Sequence, residues 1–529
     1  MAHKIAIVGS GLAAISLAQA LIARGIKPTI LDVGQTLPPE NQAVVDRMAT
    51  SPPGEWAPED RAFVASNTTI HDKDSFPQKL AFGSDFFYAE STPGAPTETA
   101  DVPLPHSYAR GGFSVGWGAS VLPPDDCDLT DWPLRRRDLE PYFQQVLADR
   151  PLSATEDGLS RSFPLYADHG APLRSTRGVE DLLRRLSAVR SFDPEQIVFG
   201  KARLLAQSRQ EGDRTGCKYC GLCMSGCVYG SIYKSTSDLA RLTGAGQVDY
   251  RPGTLVRSVV ELGDQVEVDL MQAGRDVQPA RFDRVFLAAG AVGSTRIILE
   301  SKGLFDRQVR LLNPVGFVAP MFRLARSHLE WPHANTLPGA FLEFKVSGLS
   351  DHWVHTQLST PNEMVLDKLG IASADLGLLG RIKKRVADHL VVAHCNMHSN
   401  HSNGYVMQLR RGADGASTLV SRREESDLAL PAIRQTAKAL FGIMRKIGCY
   451  SVLPLIQASD RSGGFHLGGT LPMRASPSDA LDTNLMGNPL GYSRVHVVDS
   501  SLFPSVPGTT VGLVAMANAA RIGTEAVLE

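Results

Sequence analysis

The sequence predicts an α/β fold, and three observations at its N-terminus carry that expectation. Ile5 to Val8 form a short β-branched run ending in glycine, the mark of a buried parallel strand. Ala13 to Arg24 follow with helical spacing of apolar residues at Ile15, Leu17, Leu21 and Ile22, and Gly25 is placed as a C-cap. Thr29 to Asp32 then read as a second strand, closing a βαβ unit.

Between the first strand and the helix, GSGLAA puts Gly9, Gly11 and Ala14 on the G-x-G-x-x-G/A pattern of a Rossmann-like domain. The first glycine permits the tight turn, and the second lets a pyrophosphate approach the backbone. The small third residue lets helix and strand pack closely, while the helix N-terminus favours phosphate charge. Asp32 ends the second strand 18 residues beyond Ala14, where it can accept a hydrogen bond from a ribose hydroxyl. This motif implies a dinucleotide and leaves FAD and NAD both open.

Gln35 to Ser107 contain ten prolines and read as an irregular excursion or lid. Further strands are expected at Gln265–Met271 and Arg284–Ala288, and a last one at Val495–Val498, closed by Asp499. The stretch from 311 to 454 mixes strand-like and helical patterns without a nucleotide motif. No repeat or low-complexity tract occurs.

Composition narrows the class. The chain has 529 residues, 43% hydrophobic and 21% charged, as expected of a globular protein, and length alone suggests three or four domains. Its net charge of -1 lacks the footprint of a nucleic-acid binder and argues against a polybasic membrane-surface protein. No run of about 18 apolar residues suggests a transmembrane segment, and the N-terminus lacks the basic region of a signal peptide. A cytoplasmic location is therefore expected.

Seven cysteines are too few for a disulfide scaffold, yet four fall together. Cys217, Cys220, Cys223 and Cys227 have C-x2-C-x2-C-x3-C spacing, the run of bacterial ferredoxins without its following proline. Short spacers let one loop wrap an iron–sulfur cluster, and Gly216, Gly221, Gly226 and Gly230 supply turns. Zinc and no metal are the rival readings; structural zinc sites usually join two separated ligand pairs. A 4Fe–4S cluster is favoured over 3Fe–4S. Cys127, Cys395 and Cys449 read as ordinary buried thiols. In HCNMHSNH, His394, Asn396 and His398 alternate with Cys395 and Met397, so a strand would place all three on one face. That face suits a solvated surface, contact with a polyhydroxylated substrate, or a metal.

Several segments together resemble the glucose–methanol–choline oxidoreductases. They are GSGLAA with LDVG, RGGFSVGWG (110–118), LAAGAVGSTRIIL (287–299), HLGGTLPM (466–473) and VVDSSLFPSVPGTT (497–510). DWPLRRRDLEPYF (131–143) resembles a stretch of the bacterial sugar-dehydrogenase branch, some members of which carry a related cysteine-rich insertion. The resemblance implies FAD and two interleaved domains. The FAD-binding domain would span 1–310 and 455–529, with an iron–sulfur insertion near 212–234. A substrate domain on an antiparallel sheet would span 311–454, with parts of 35–210 as lid and excursions. It further implies that Gly9, Gly11, Ala14, Asp32 and Val256 hold the ADP half. Gly112 and Ser114 would run past the pyrophosphate and flavin ring, and Asp499 and Ser500 would lie on the ribityl chain.

In the same way His466 becomes the base that takes the hydroxyl proton, although in isolation it reads more readily as a core histidine satisfied by hydrogen bonds. Thr510 falls where the family places a second His or Asn, a departure that leaves it as an orienting partner at most. The resulting expectation is an FAD-dependent dehydrogenase acting on an alcohol of a sugar or glycoside, passing electrons through the cluster to a protein or quinone acceptor. A redox-neutral lyase or isomerase and an electron-transfer subunit are the alternatives.

Overall fold

Strands from the two ends of the chain and its middle meet in one parallel sheet. A computed structural model describes all residues except 1–2, 67–79, 89–91, 102, 169, 315, 327–328, 332, 369–377, 459–464 and 529. The sheet runs in the order Val495–Val497, Arg284–Leu287, Ile5–Val8, Thr29–Leu31 and Asp249–Arg251, every pair parallel. Ile5–Val8 at its centre is buried on both faces, which explains its unbroken apolar character. Leu12–Ala23 packs on the C-terminal helix Val511–Glu525, which in turn packs on Arg136–Ala148. Small residues allow this approach: a Cβ at Gly523 would lie 2.9 Å from the Cβ of Ala20. Thr254–Leu262, Gln265–Gln272 and Ala280–Phe282 form an antiparallel meander beside the parallel sheet.

The second layer is a seven-stranded antiparallel sheet. Its path is Cys449–Tyr450, Gly316–Arg323, Leu390–Asn396, Ser350–Ser359, Ala340–Val346 and Ile197–Lys201, with Gln457–Ala458 also paired to Gly316–Arg323. One face is covered by Arg177–Ser187 and Ala429–Arg445 through Val179, Leu182, Ile433 and Leu440. Val391, Ala393 and Cys395 point into that apolar layer, so the alternate residues of the strand face the other way.

Two expectations need correction. The excursion after Gln35 is more regular than its prolines suggest: it contains the helices Pro39–Ala49 and Pro58–Ala65, each with proline in its first turn. Proline is tolerated there because the first helical N–H groups have no partner within the helix anyway. Residues 67–79 and 89–91 of the excursion lie outside the described set. The antiparallel sheet also exceeds the expected 311–454, drawing an edge strand from Ile197–Lys201 and a short strand from Gln457–Ala458. Pairings over such sequence distances leave no local pattern.

Candidate active site

A cavity of about 570 Å³ runs between the parallel sheet and the open face of the antiparallel sheet. At one end it is lined by Gly9, Ser10, Gly11, Asp32 and Val256, and at the other by Gln357, His394, Asn396 and His466. Gly112, Ser114, Asp499, Ser500 and Thr510 line the stretch in common.

The glycine turn is built for an incoming group. Gly9 has φ +99°, and a Cβ there would sit 2.5 Å from the carbonyl oxygen of Ala288. Gly11 has nothing within 4 Å of its Cβ direction, so its backbone lies open to the cavity. Ala14 is fully buried and sits outside the lining, as a helix–sheet packing residue should. Asp32 accepts hydrogen bonds from the Ser10 hydroxyl and, at 3.0 Å, from the Tyr250 phenol. Burial pushes its carboxyl up to about 6, while those two donors pull the other way. Asp499 accepts from Ser294 Oγ and Ser501 Oγ, each at 2.5 Å, and burial raises its pKa. Ser114 Oγ donates to Gly111 O, and Ser500 Oγ to Leu467 O. An open backbone at a helix N-terminus and an acid at the end of the second strand fit the ADP half of FAD, with Val256 at the same end.

At the far end, His466 borders the cavity. Burial, helped by the nearby His355 and His394, pulls its pKa down to about 4, so it is neutral at pH 7. His394 is pulled to about 4 by the same two effects of burial and His355. The sheet places Gln357 opposite His394 and His355 opposite Asn396, so the four share the cavity face. Beneath them lies a polar column that sequence reading missed. Glu343 and His355, both fully buried, are cross-strand partners whose Oε1 and Nδ1 lie 2.7 Å apart. His355 Nε2 lies 3.1 Å from the Gln357 amide nitrogen. Burial raises the Glu343 pKa, and His355 opposes that shift. Strand alternation in HWVHTQLS offered a signal for His355 and Gln357; the pairing with Glu343 required the register. Aromatic rings close this end: Phe465 lies 5.2 Å from Tyr88 and 5.4 Å from Phe113.

His398 is not part of this group. The strand ends at Asn396, so the alternation stops before it. It is buried outside the cavity lining, stacks on His352 at 3.8 Å, and its Nδ1 accepts from Asn400 N at the start of Ser399–His401. Thr510 reaches the cavity, but its hydroxyl is committed. It accepts from Leu122 N at 2.8 Å and donates to Leu122 O at 3.3 Å, leaving no proton to orient a substrate or His466.

The cysteine loop abuts the same cavity, because Met224 and Thr336 belong to its lining. Arg61 donates to Cys220 O, Glu363 accepts from Met224 N, and Trp331 donates to Gly221 O. Two sulfurs already receive backbone N–H groups, Cys217 from Tyr219 and Cys223 from Thr336, both at 3.4 Å. Burial pushes the thiols of Cys217, Cys220 and Cys223 up to about 12, and neighbouring cysteines add to each shift. Four thiols on one loop with N–H donors are suitable chemistry for a cluster. Among the described residues no three His, Cys, Asp or Glu side chains are grouped closely enough to hold a metal ion. The sequence-based iron–sulfur assignment therefore stands on donor chemistry alone.

No family model matches the chain, and no curated protein matches its sequence. Among solved structures, pyridoxine 4-oxidase from Mesorbium loti superposes with a TM-score of 0.56, covering 98% of both chains. The two share a fold. At 13% identity the likeness reaches no further, and the α/β architecture with an added antiparallel sheet is what it establishes. No helix among the described residues is long and apolar enough to cross a membrane.

Proposed function

We propose that this chain is an FAD-dependent oxidoreductase of the glucose–methanol–choline kind. It oxidises an alcohol group of a sugar or glycoside; Cys217, Cys220, Cys223 and Cys227 would hold an iron–sulfur cluster, which would supply the exit for electrons. The observation that supports this most is the single cavity joining the glycine turn and Asp32 to His466. The fold shared with an enzyme named as an oxidase of pyridoxine agrees with it.

FAD bound in this cavity supplies the hydride acceptor. His466 is the base: burial keeps its imidazole neutral, so it can accept the hydroxyl proton at pH 7. The same burial disfavours the imidazolium, so at pH 7 the equilibrium position of that proton is not on His466. His394, Asn396 and Gln357 offer hydrogen bonds to substrate hydroxyls, and the Glu343–His355 pair fixes Gln357 from below. Thr510 anchors Leu122 and takes no part in proton transfer. A cluster on the cysteine loop would pass electrons singly to an external protein or quinone.

The Phe465–Tyr88–Phe113 group supports a second reading of the substrate, an aromatic alcohol such as pyridoxine stacked on these rings. Anaerobic stopped-flow with sugars, glycosides and pyridoxine separates the two by which compound bleaches the flavin band. Turnover without bleaching would replace the oxidoreductase reading by a redox-neutral one. Bound iron and acid-labile sulfide should each be about four per chain for a 4Fe–4S cluster. Zinc, or no metal, in protein purified without oxygen would remove the electron route.

A further inference from the structure

We infer that the helix Leu378–Ala387, with the apolar loops beside it, docks this protein on an anionic phospholipid surface. The inference is independent of the flavin site. Leu378, Ile382 and Val386 recur every four residues and so form one stripe along the helix. In a surface helix such a stripe ordinarily faces the core. Here it faces solvent, with the three residues 78%, 54% and 49% exposed. Among the described side chains of this helix only Ala387 is buried, against Leu366, Leu329 and Trp331.

The apolar surface continues beyond the helix. His389 accompanies its C-terminal end by donating its backbone N–H to Val386 O, and its ring stacks on Phe322 at 5.2 Å. Phe322 pairs in register with Tyr450 and is followed by Leu324, which is 68% exposed. Tyr450, Val452 and Leu455 are exposed as well. Contiguous exposed apolar surface of this kind marks an interaction site.

Charge selects the partner. Arg381, Lys383, Lys384 and Arg385 flank the stripe, and the helix carries no acidic residue. Among the described residues these four cations form no ion pair. Arg326 lies two residues beyond the exposed Leu324, while the nearby Asp388 already accepts from Leu329 N. Protein interfaces are depleted in lysine and enriched in methionine and aromatic residues at their centre. Aliphatic residues interleaved with Lys and Arg are instead the pattern of helices lying in the headgroup layer. The net charge of -1, which argues against a polybasic surface for the chain as a whole, averages this patch away.

Vesicle sedimentation of the full chain tests the inference. The protein should co-sediment with phosphatidylcholine vesicles containing phosphatidylglycerol, remain in solution with phosphatidylcholine alone, and be released by salt. Replacing Ile382→Glu and Val386→Glu together should abolish binding. Lys383→Gln and Lys384→Gln should each weaken it about fivefold. These lysines are exposed, so their replacement keeps the test open should the glutamate pair impair folding. Wild-type protein that ignores anionic vesicles at low salt overturns the inference, as does binding that all these variants retain. A concentration-dependent dimer lost in the glutamate pair, without vesicle binding, would reassign the face to a second copy of the chain.

Discussion

Replacing His466 by alanine is the sharpest test of the site. The imidazole borders the cavity with a pKa held near 4 by burial, so at pH 7 nearly all of it is the neutral, proton-accepting form. A positioned base of this kind typically contributes 10²–10⁴-fold to rate, about 3–5 kcal/mol of barrier. His466→Ala should slow substrate-dependent flavin bleaching in anaerobic stopped-flow by that factor. Flavin content should be unchanged, because Gly11, Asp32 and Val256 line the opposite end of the cavity. The pH dependence carries a sign. A base whose pKa lies near 4 stays available throughout the neutral range, so wild-type kcat/KM should be flat above about pH 5.5 and fall as pH drops through 4. A group left near its ordinary 6.5 would produce the fall two units higher. Bleaching by the alanine variant within a few-fold of wild type would refute the assignment, and a fall centred near 6.5 would refute the account of its burial.

Three further outcomes follow from the surroundings of the site. Thr510→Val keeps the shape but removes both hydrogen bonds to the buried Leu122 backbone, so stability in urea should drop by about 1–3 kcal/mol while bleaching changes only a few-fold. A hundredfold slower reaction at unchanged stability would make Thr510 a participant after all. Glu343→Ala leaves the buried His355 Nδ1 without its partner and should cost about 1–3 kcal/mol; Glu343→Gln, which restores a hydrogen-bonding group, should cost less, and equal losses would count against the pair. Acidification should destabilise the fold through His106 and His496, whose pKa values burial lowers to about 3 and 4: both stay neutral in the fold while the unfolded chain takes up protons below 6.5. His496→Asn should therefore lose stability less steeply than wild type between pH 6.5 and 4.5 in urea titrations, and an unchanged slope would contradict its burial as a neutral ring.

What could be read from the sequence divides along a physical line. The βαβ unit was legible because its determinants are local: a β-branched strand, glycines at fixed offsets, and an acid ending the next strand. The cavity-facing side of Leu390–Asn396 was legible for the same reason, since alternation settles which residues share a face as long as the strand lasts. His398 shows where that reasoning stops, because one turn after Asn396 returned it to the interior beside His352. The Glu343–His355–Gln357 column was out of reach, because its defining contact crosses from one strand to the next and only register brings it into being. Thr510 teaches a related point. Its position suggested an orienting role, and only the contact with Leu122, 388 residues away, shows that the hydroxyl proton is already engaged. Net charge failed differently, by summing over the whole surface. A balance of -1 coexists with a cationic, apolar helix because the compensating acids sit elsewhere. The cysteine run is the remaining case. Its spacing defines the donors, whereas their convergence depends on what they bind, because a metal-binding loop is ordered by the metal it takes up.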